Sequence, residues 1–294
     1  MERIRMKTVI GIVTFGNAQF TKLTIESIRA TTKSEIHFAI IVGKPGDTET
    51  EAMLANQLDQ FGDVSVKAHD RNMGFPYSVN DLYDFAWKDN DYHYLIIAGN
   101  DIVPYEGAID TLIRVADTTE YEVISALQYD VKSLVNEHPE TKKYFYSQNY
   151  IFTDFNARPW EAYKPVIDPA QAEIASMQLY DIQNLCLYKK SVMSTIGYTD
   201  VNFYPAYYID NDYARRIVNA GIPCCSVVNA RFFHFWSRTI KQGTGGSTGT
   251  NFDNNRSYYM SKWGGDFGQE RIEAPILIDS REGEEEIIEK WRRA

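Results

Sequence analysis

Tyr94-Leu-Ile-Ile-Ala-Gly-Asn-Asp-Ile-Val-Pro104 carries an unbroken apolar run, Tyr94–Ala98, straight into Asn100-Asp101. A short apolar run without polar alternation fits a strand buried on both faces, as in a parallel sheet covered by helices. The same unit repeats on the N-terminal side. Thr8–Phe15 reads as a strand turning at Gly16-Asn17, and Phe20, Leu23, Ile25 and Ile28 then follow a helical period. Ile36–Val42 is a second strand, followed by a helix near Glu49–Phe61; Val64–Ala68 is a third, followed by a helix over Phe75–Trp87. Pro104 introduces a further helix to about Ala116, and Val123–Gln128 is the next strand. This β-α-β-α rhythm predicts an α/β fold with a doubly wound, mostly parallel sheet.

The rhythm breaks over residues 129–180, rich in Tyr, Phe, Asn and Pro, where pattern supports only short strands such as Tyr144–Phe152. It resumes with a strand at Leu185–Tyr188 and a helix at about Lys190–Ile196. A second helix, from about Ile209 to Ala220, is closed by Gly221, and Cys224–Val228 is the next strand. Lys241–Thr250 holds four glycines among Ser and Thr, the composition of a surface loop. Asn254–Trp263 and the charged stretch Glu282–Arg293 read as helices, the latter able to pack against a partner subunit in a homo-oligomer.

Composition bounds the function. At 294 residues the chain suits one large α/β domain with an appendage, and the net charge of −10 argues against a general nucleic-acid or anionic-membrane surface. No stretch approaches the ~20 apolar residues of a membrane span. Cys186, Cys224 and Cys225 lack metal-ligand spacing and leave an odd thiol in any pairing, as expected for reduced cysteines in a soluble cytoplasmic protein.

Three constellations carry chemistry. Asn100-Asp101 follows an apolar strand, Asp210-Asn211-Asp212 opens a helix, and His234 sits in Phe232-Phe-His-Phe-Trp236 behind another strand. A parallel sheet brings strand ends together at one edge. There Asp101 suits a hard divalent ion that also holds a diphosphate, or the pair is an Asx-turn into the next helix. Asp210 and Asp212 suit helix capping, or one caps while the other serves as a general base. His234 is a core histidine or a neutral imidazole completing a metal shell. Arg71-Asn72-Met73-Gly74-Phe75 is a βα turn whose glycine allows close backbone approach and whose helix start attracts anions. Thr14-Phe15-Gly16-Asn17 is a nucleoside-contacting loop or an ordinary tight turn. Neither resembles a P-loop or a G-x-G-x-x-G fingerprint, which disfavours kinases and dinucleotide oxidoreductases.

In this order the motifs resemble glycosyltransferase family 2 and its GT-A fold relatives. The resemblance rests on Thr8-Val-Ile-Gly-Ile-Val-Thr-Phe-Gly-Asn17, Asn72-Met-Gly-Phe-Pro-Tyr-Ser-Val-Asn80 and Ala98-Gly-Asn-Asp-Ile-Val-Pro104. It continues through Asp210-Asn-Asp-Tyr-Ala-Arg-Arg216, His234 and Asn255-Arg-Ser-Tyr-Tyr-Met-Ser-Lys-Trp-Gly264, and covers about residues 8–128 and 185–264. It implies a transferase domain over 1–240, with a nucleotide-binding half (1–128) and an acceptor and catalytic half (129–240). Residues 241–294 would add the Gly-rich loop and a helical extension. It further implies Mn²⁺ or Mg²⁺ held by Asp101 and His234, and Asp210 as base. Thr14, Phe15, Asn17, Arg71, Asn72, Gly74 and Asn100 would contact a nucleotide-sugar donor, a UDP-sugar favoured. The acceptor would be a glycan, polymer or other hydroxyl compound, and transfer would invert the anomeric centre. Three positions depart from the family pattern. Val42-Gly-Lys-Pro-Gly-Asp47 lacks the usual aspartate or shifts it to Asp47, Gly99 stands where a first DxD acid can be, and Ile209 replaces a Glu. A degenerate sugar-nucleotide binding or scaffold module, or a nucleotidyltransferase, are the competing readings. The Gly-rich stretch 241–250 is a candidate lid over donor or acceptor.

Overall fold

A computed structural model describes residues 8–129, 135–136, 139, 145–146, 151–152, 168–177, 182, 184–235, 251–274 and 276–293. The candidate lid 241–250 and most of the insert 129–180 lie outside the described residues. The expected alternation is present: β1 (Thr8–Thr14), α1 (Ala18–Thr31), β2 (Ile36–Val42), α2 (Thr48–Phe61), β3 (Val64–Ala68), α3 (Gly74–Tyr83) and β4 (Tyr94–Ala98). β5 (Ile102–Pro104), α4 (Ala108–Thr118) and β6 (Val123–Tyr129) follow, and β7 (Phe145–Tyr146) pairs with β8 (Ile151–Phe152). Next come β9 (Ile174–Ser176), β10 (Cys186–Lys189), α5 (Lys190–Ile196), α6 (Ile209–Asn219), β11 (Cys224–His234), α7 (Phe252–Trp263) and α8 (Glu284–Arg293).

Among the described residues the main sheet runs β3-β2-β1-β4-β10-β6-β11-β5, with β9 against β11. β1, β2, β3, β4, β6 and β11 point the same way, and the short β5, β9 and β10 run against them, so the sheet is mostly parallel. Successive residues of a strand face opposite sides of the sheet. Ile10 and Ile12 of β1 therefore pack with α1 and α4 (Phe20, Leu23, Ile109, Leu112), while Val9 packs with α3, α5 and α6 (Val79, Leu82, Ile196, Ile217). Both faces being covered is why β1 and β4 read as continuous apolar runs rather than alternating ones.

Two local expectations are corrected. Pro104 does not open a helix: it ends β5, an edge strand paired with β11 through Phe232↔Pro104, Phe233↔Val103 and His234↔Ile102, and α4 starts only at Ala108 after Gly107. An edge strand tolerates the missing proline N–H. β11 also does not stop at Val228. It shifts register between Val227 and Arg231 and continues to His234 beside β6. α8 docks on its own chain, with Ile288 buried against Met73, Val201 and Tyr204, and Asn80 Nδ2 donates to Glu284 Oε1 at 2.6 Å.

Candidate active site

The pairing of β5 with β11 sets Asp101 beside His234. The Phe235 N–H donates to the Asp101 carbonyl at 3.0 Å, and Asp101 Oδ1 lies 3.1 Å from His234 Nε2. Asp101 is buried and His234 keeps 21% of its side chain exposed, so the pair opens on one side. The other ring nitrogen, Nδ1, is 3.1 Å from Gln128 Oε1 and 3.0 Å from Asn184 Nδ2. Either tautomer is thus served. Nδ1 can accept from Asn184 while Nε2–H donates to Asp101, or Nδ1–H can donate to Gln128 and free the Nε2 lone pair for a cation. A ring nitrogen anchored in this way is the usual support behind a metal-binding imidazole.

The carboxyl ends of β1, β2, β3 and β4 reach the same edge. Gly43 N donates to Thr14 O at 2.8 Å and His69 N to Val42 O at 2.9 Å. Buried Thr14 donates its hydroxyl to Gly16 O at 2.9 Å and sits 2.9 Å from Thr21 Oγ1; Asn100 Nδ2 lies 3.3 Å from both hydroxyls. Thr14, Thr21 and Asn100 therefore form one polar cluster next to Asp101, with half-buried Phe15 and Asn17 at its rim. Asp47 is committed to the backbone, accepting from Gly16 N at 3.1 Å and Thr50 N at 3.3 Å, so it ties the first loop to the start of α2. In the turn after β3, Asn72 Oδ1 accepts from Gly74 N at 2.9 Å. Arg71 reaches α8, pairing with Glu285 at 2.5 Å and Glu289 at 3.1 Å.

The two helix-opening aspartates differ sharply. Asp212 is buried: its Oδ1 receives Lys262 Nζ at 2.7 Å and Trp263 Nε1 at 2.9 Å, and its Oδ2 faces Arg216 Nε at 3.2 Å. Lys262 also pairs with Asp200 at 2.7 Å, so the segment ending Lys-Trp-Gly264 is bolted to α6 by charge. Asp210 is half-buried, accepts the Asn211 N–H at 2.9 Å, and burial raises its carboxyl pKa above the ordinary value. Tyr207 and Tyr208, just ahead of it, both hold positive φ (73° and 67°), a strained conformation for aromatic residues. Fully buried Asn255 clamps that turn, donating to the carbonyls of Phe203 at 2.9 Å, Ala206 at 2.6 Å and Tyr207 at 3.2 Å.

Gln128, Asn184 and Asn255 escape the sequence reading. Asn184 escapes because of strand direction. It precedes a strand that runs antiparallel to β4 and β6, so the residue before that strand, rather than after it, lands at the functional edge.

Residues 9–171 match the family described as Glycosyl transferase family 2. No curated protein matches the chain. Its fold is similar to S. aureus TarS 1-349 (10% identity, 78% of this chain and 60% of that one, TM-score 0.53). It is also similar to the mannosyltransferase PcManGT from Pyrobaculum calidifontis in complex with GDP-Man and Mn²⁺ (9%, 80% and 59%, 0.56). A third similarity is to GalNAc-T7 with UDP, GalNAc and Mn²⁺ (12%, 79% and 44%, 0.55). The chain spans about three fifths or less of these structures. At such identities the likeness concerns the fold, which is the GT-A arrangement of a mostly parallel sheet. Among the described residues no helix is long and apolar enough to cross a membrane.

Proposed function

The chain belongs to glycosyl transferase family 2, and from that premise we propose that it moves a sugar from a nucleoside-diphosphate donor to an acceptor hydroxyl with inversion. The observation that carries this reading is the Asp101–His234 pair on the carboxyl edge. At 3.1 Å its imidazole nitrogen and carboxylate oxygen are close enough to hold one small divalent ion between them. A Mn²⁺ or Mg²⁺ ion held there would supply positive charge against the departing diphosphate. Asp101 and His234 are its proposed ligands.

The other residues take roles that follow from their positions. Thr14, Phe15, Asn17 and Asn100 line the first loop and meet the nucleoside and its phosphates. Asn72 and Gly74 form the tight turn at the start of α3, held by the Gly74 N–H on Asn72 Oδ1, and border the donor there. Arg71 joins them by exchanging a glutamate of α8 for phosphate. Asp210 accepts the acceptor's proton as the acceptor oxygen bonds to the anomeric carbon and the bond to the diphosphate breaks. Attack opposite the leaving group inverts the centre. Burial raises the Asp210 pKa and so strengthens its carboxylate as a base. No disulfide joins Cys186, Cys224 and Cys225, which fits a reducing compartment, and we place the protein in the cytoplasm.

The test is release of nucleoside diphosphate from a panel of nucleotide sugars with Mn²⁺ and hydroxyl acceptors, a UDP-sugar first. The wild type should consume one donor. Asp210→Asn should still bind it and lose roughly 10²–10⁴-fold in transfer. Transfer by Asp210→Asn near the wild-type rate would remove Asp210 from the base role.

A further inference from the structure

Position 99 is a glycine where the family pattern has room for the first of two acids, and this leaves Asp101 as the lone carboxylate of its motif. The space beside that glycine is nevertheless filled. A Cβ built on Gly99 would lie 2.7 Å from Asn184 Oδ1 and 3.4 Å from Asp101 Oδ1. The Asn184 amide oxygen, delivered from 85 positions away by the loop before β10, thus occupies the place that any side chain at 99 would enter. It also borders the same point as the Asp101 carboxylate.

The orientation of this amide is matched to that of Gln128. Asn184 Nδ2 donates to Gln128 Oε1 at 2.6 Å and lies 3.0 Å from His234 Nδ1. Turning the amide over would set Asn184 Oδ1 against Gln128 Oε1, two acceptors face to face. Asn184 Oδ1 is buried and has no hydrogen-bond partner among the described residues. Leu185 beside it holds φ 57°, a left-handed conformation that a leucine adopts only when its surroundings impose it. A buried carbonyl oxygen without a donor is costly unless something at the site satisfies it. Among the described residues no group of three or more His, Cys, Asp or Glu is placed to hold a metal, so a third ligand from those residue types is absent there.

We propose that Asn184 Oδ1 is the third protein donor to the divalent cation, replacing in space the acid absent at position 99. This deepens the functional reading above and rests on it. Amide oxygens are ordinary ligands for hard divalent ions. The substitution has an electrostatic consequence: with a neutral imidazole and a neutral amide, Asp101 brings the only negative charge among the three donors. The site should therefore hold its ion weakly alone and tightly once a diphosphate arrives, a coupling that by linkage works in both directions.

The experiment is titration of Mn²⁺, followed by loss of its free-ion electron paramagnetic resonance signal, with and without UDP. Four proteins are compared: wild type, Asn184→Ala, Asn184→Asp and the double variant Gly99→Asp/Asn184→Ala, with Asp101→Ala as control. The wild type should bind Mn²⁺ at least tenfold more tightly with UDP. Asn184→Ala should weaken that binding about tenfold or more. Asn184→Asp should tighten Mn²⁺ binding without UDP, and the double variant should recover what Asn184→Ala loses. A merely structural asparagine predicts neither of the last two results. Equal Mn²⁺ affinity of wild type and Asn184→Ala, with binding lost in Asp101→Ala, overturns this inference and leaves the metal site standing. No Mn²⁺ binding by folded wild type overturns both.

Discussion

Replacing Asp212 with alanine removes a buried carboxylate set among Lys262, Trp263 and Arg216, and the structure allows the loss to be sized. Asp212 Oδ1 takes Lys262 Nζ at 2.7 Å and Trp263 Nε1 at 2.9 Å, and Oδ2 pairs with Arg216 at 3.2 Å. Breaking one side of a buried ion pair costs about 3–5 kcal/mol. Here the cations are not stranded. Lys262 keeps Asp200 at 2.7 Å, and Arg216 keeps the carbonyls of Ile196 and Tyr198 at 2.6 Å each, which puts the electrostatic part at the low end. Fully buried Trp263 is left with an unmet N–H, worth about 1–3 kcal/mol. The expected loss is about 4 kcal/mol, or more than about 1 M in the urea midpoint at a slope of roughly 3 kcal/mol/M. Asp210→Asn, two residues away, should behave in the opposite sense. Burial raises the Asp210 pKa above its unfolded value, so its ionised form costs stability at neutral pH and the neutral amide should leave the midpoint unchanged or raise it. Urea denaturation followed by tryptophan fluorescence measures both. A loss below about 1 kcal/mol for Asp212→Ala, or equal losses for the two variants, would refute this division between a structural and a functional aspartate.

Gly74 has φ 80°, and a Cβ there would lie 2.7 Å from Tyr204 Cδ2 and 3.2 Å from the Pro205 backbone; Gly74→Ala should lower the thermal midpoint by the equivalent of about 2 kcal/mol and weaken nucleotide binding. A midpoint equal to wild type would contradict that contact. Burial alone would raise the Asp81 pKa, but hydrogen bonds from His69, Lys67 and Arg281 outweigh it and hold the carboxyl at about 2 against an ordinary 3.8. A depressed folded pKa adds stability above about pH 4 that fades as the pH falls toward 2, amounting to about 2 kcal/mol. Stability measured from pH 6 to 2 should show that decline and Asp81→Asn should flatten it; identical curves would sink the assignment.

What the sequence discloses here follows from where each strand's environment is local and where it is not. β1, β2 and β4 are buried on both faces, so their apolar runs announce themselves, and the helices between them carry their own period. Asp101 and His234 are each visible as polar residues at strand ends, but their 3.1 Å approach depends on β5 pairing with β11. Pro104 disguises that pairing as a helix start, and the irregular stretch between Val227 and Arg231 makes β11 look finished too early. Asn184 is hidden by strand direction, because β10 runs against its neighbours. Arg71 meets Glu285 and Glu289 across more than two hundred residues, a contact no local pattern encodes. Asp210 and Asp212 look equivalent in sequence. Only the placement of Lys262 and Trp263 separates them.

A cation-assisted nucleotide-sugar site at Asp101 and His234 is best tested by thermal shift with UDP and GDP, each with and without Mn²⁺, on wild type and Asp101→Ala. One nucleotide should stabilise the wild type only when Mn²⁺ is present, by about 2.7 kcal/mol at a hundred times its dissociation constant, and Asp101→Ala should lose this gain. Stabilisation of equal size without Mn²⁺, or in folded Asp101→Ala, would contradict it.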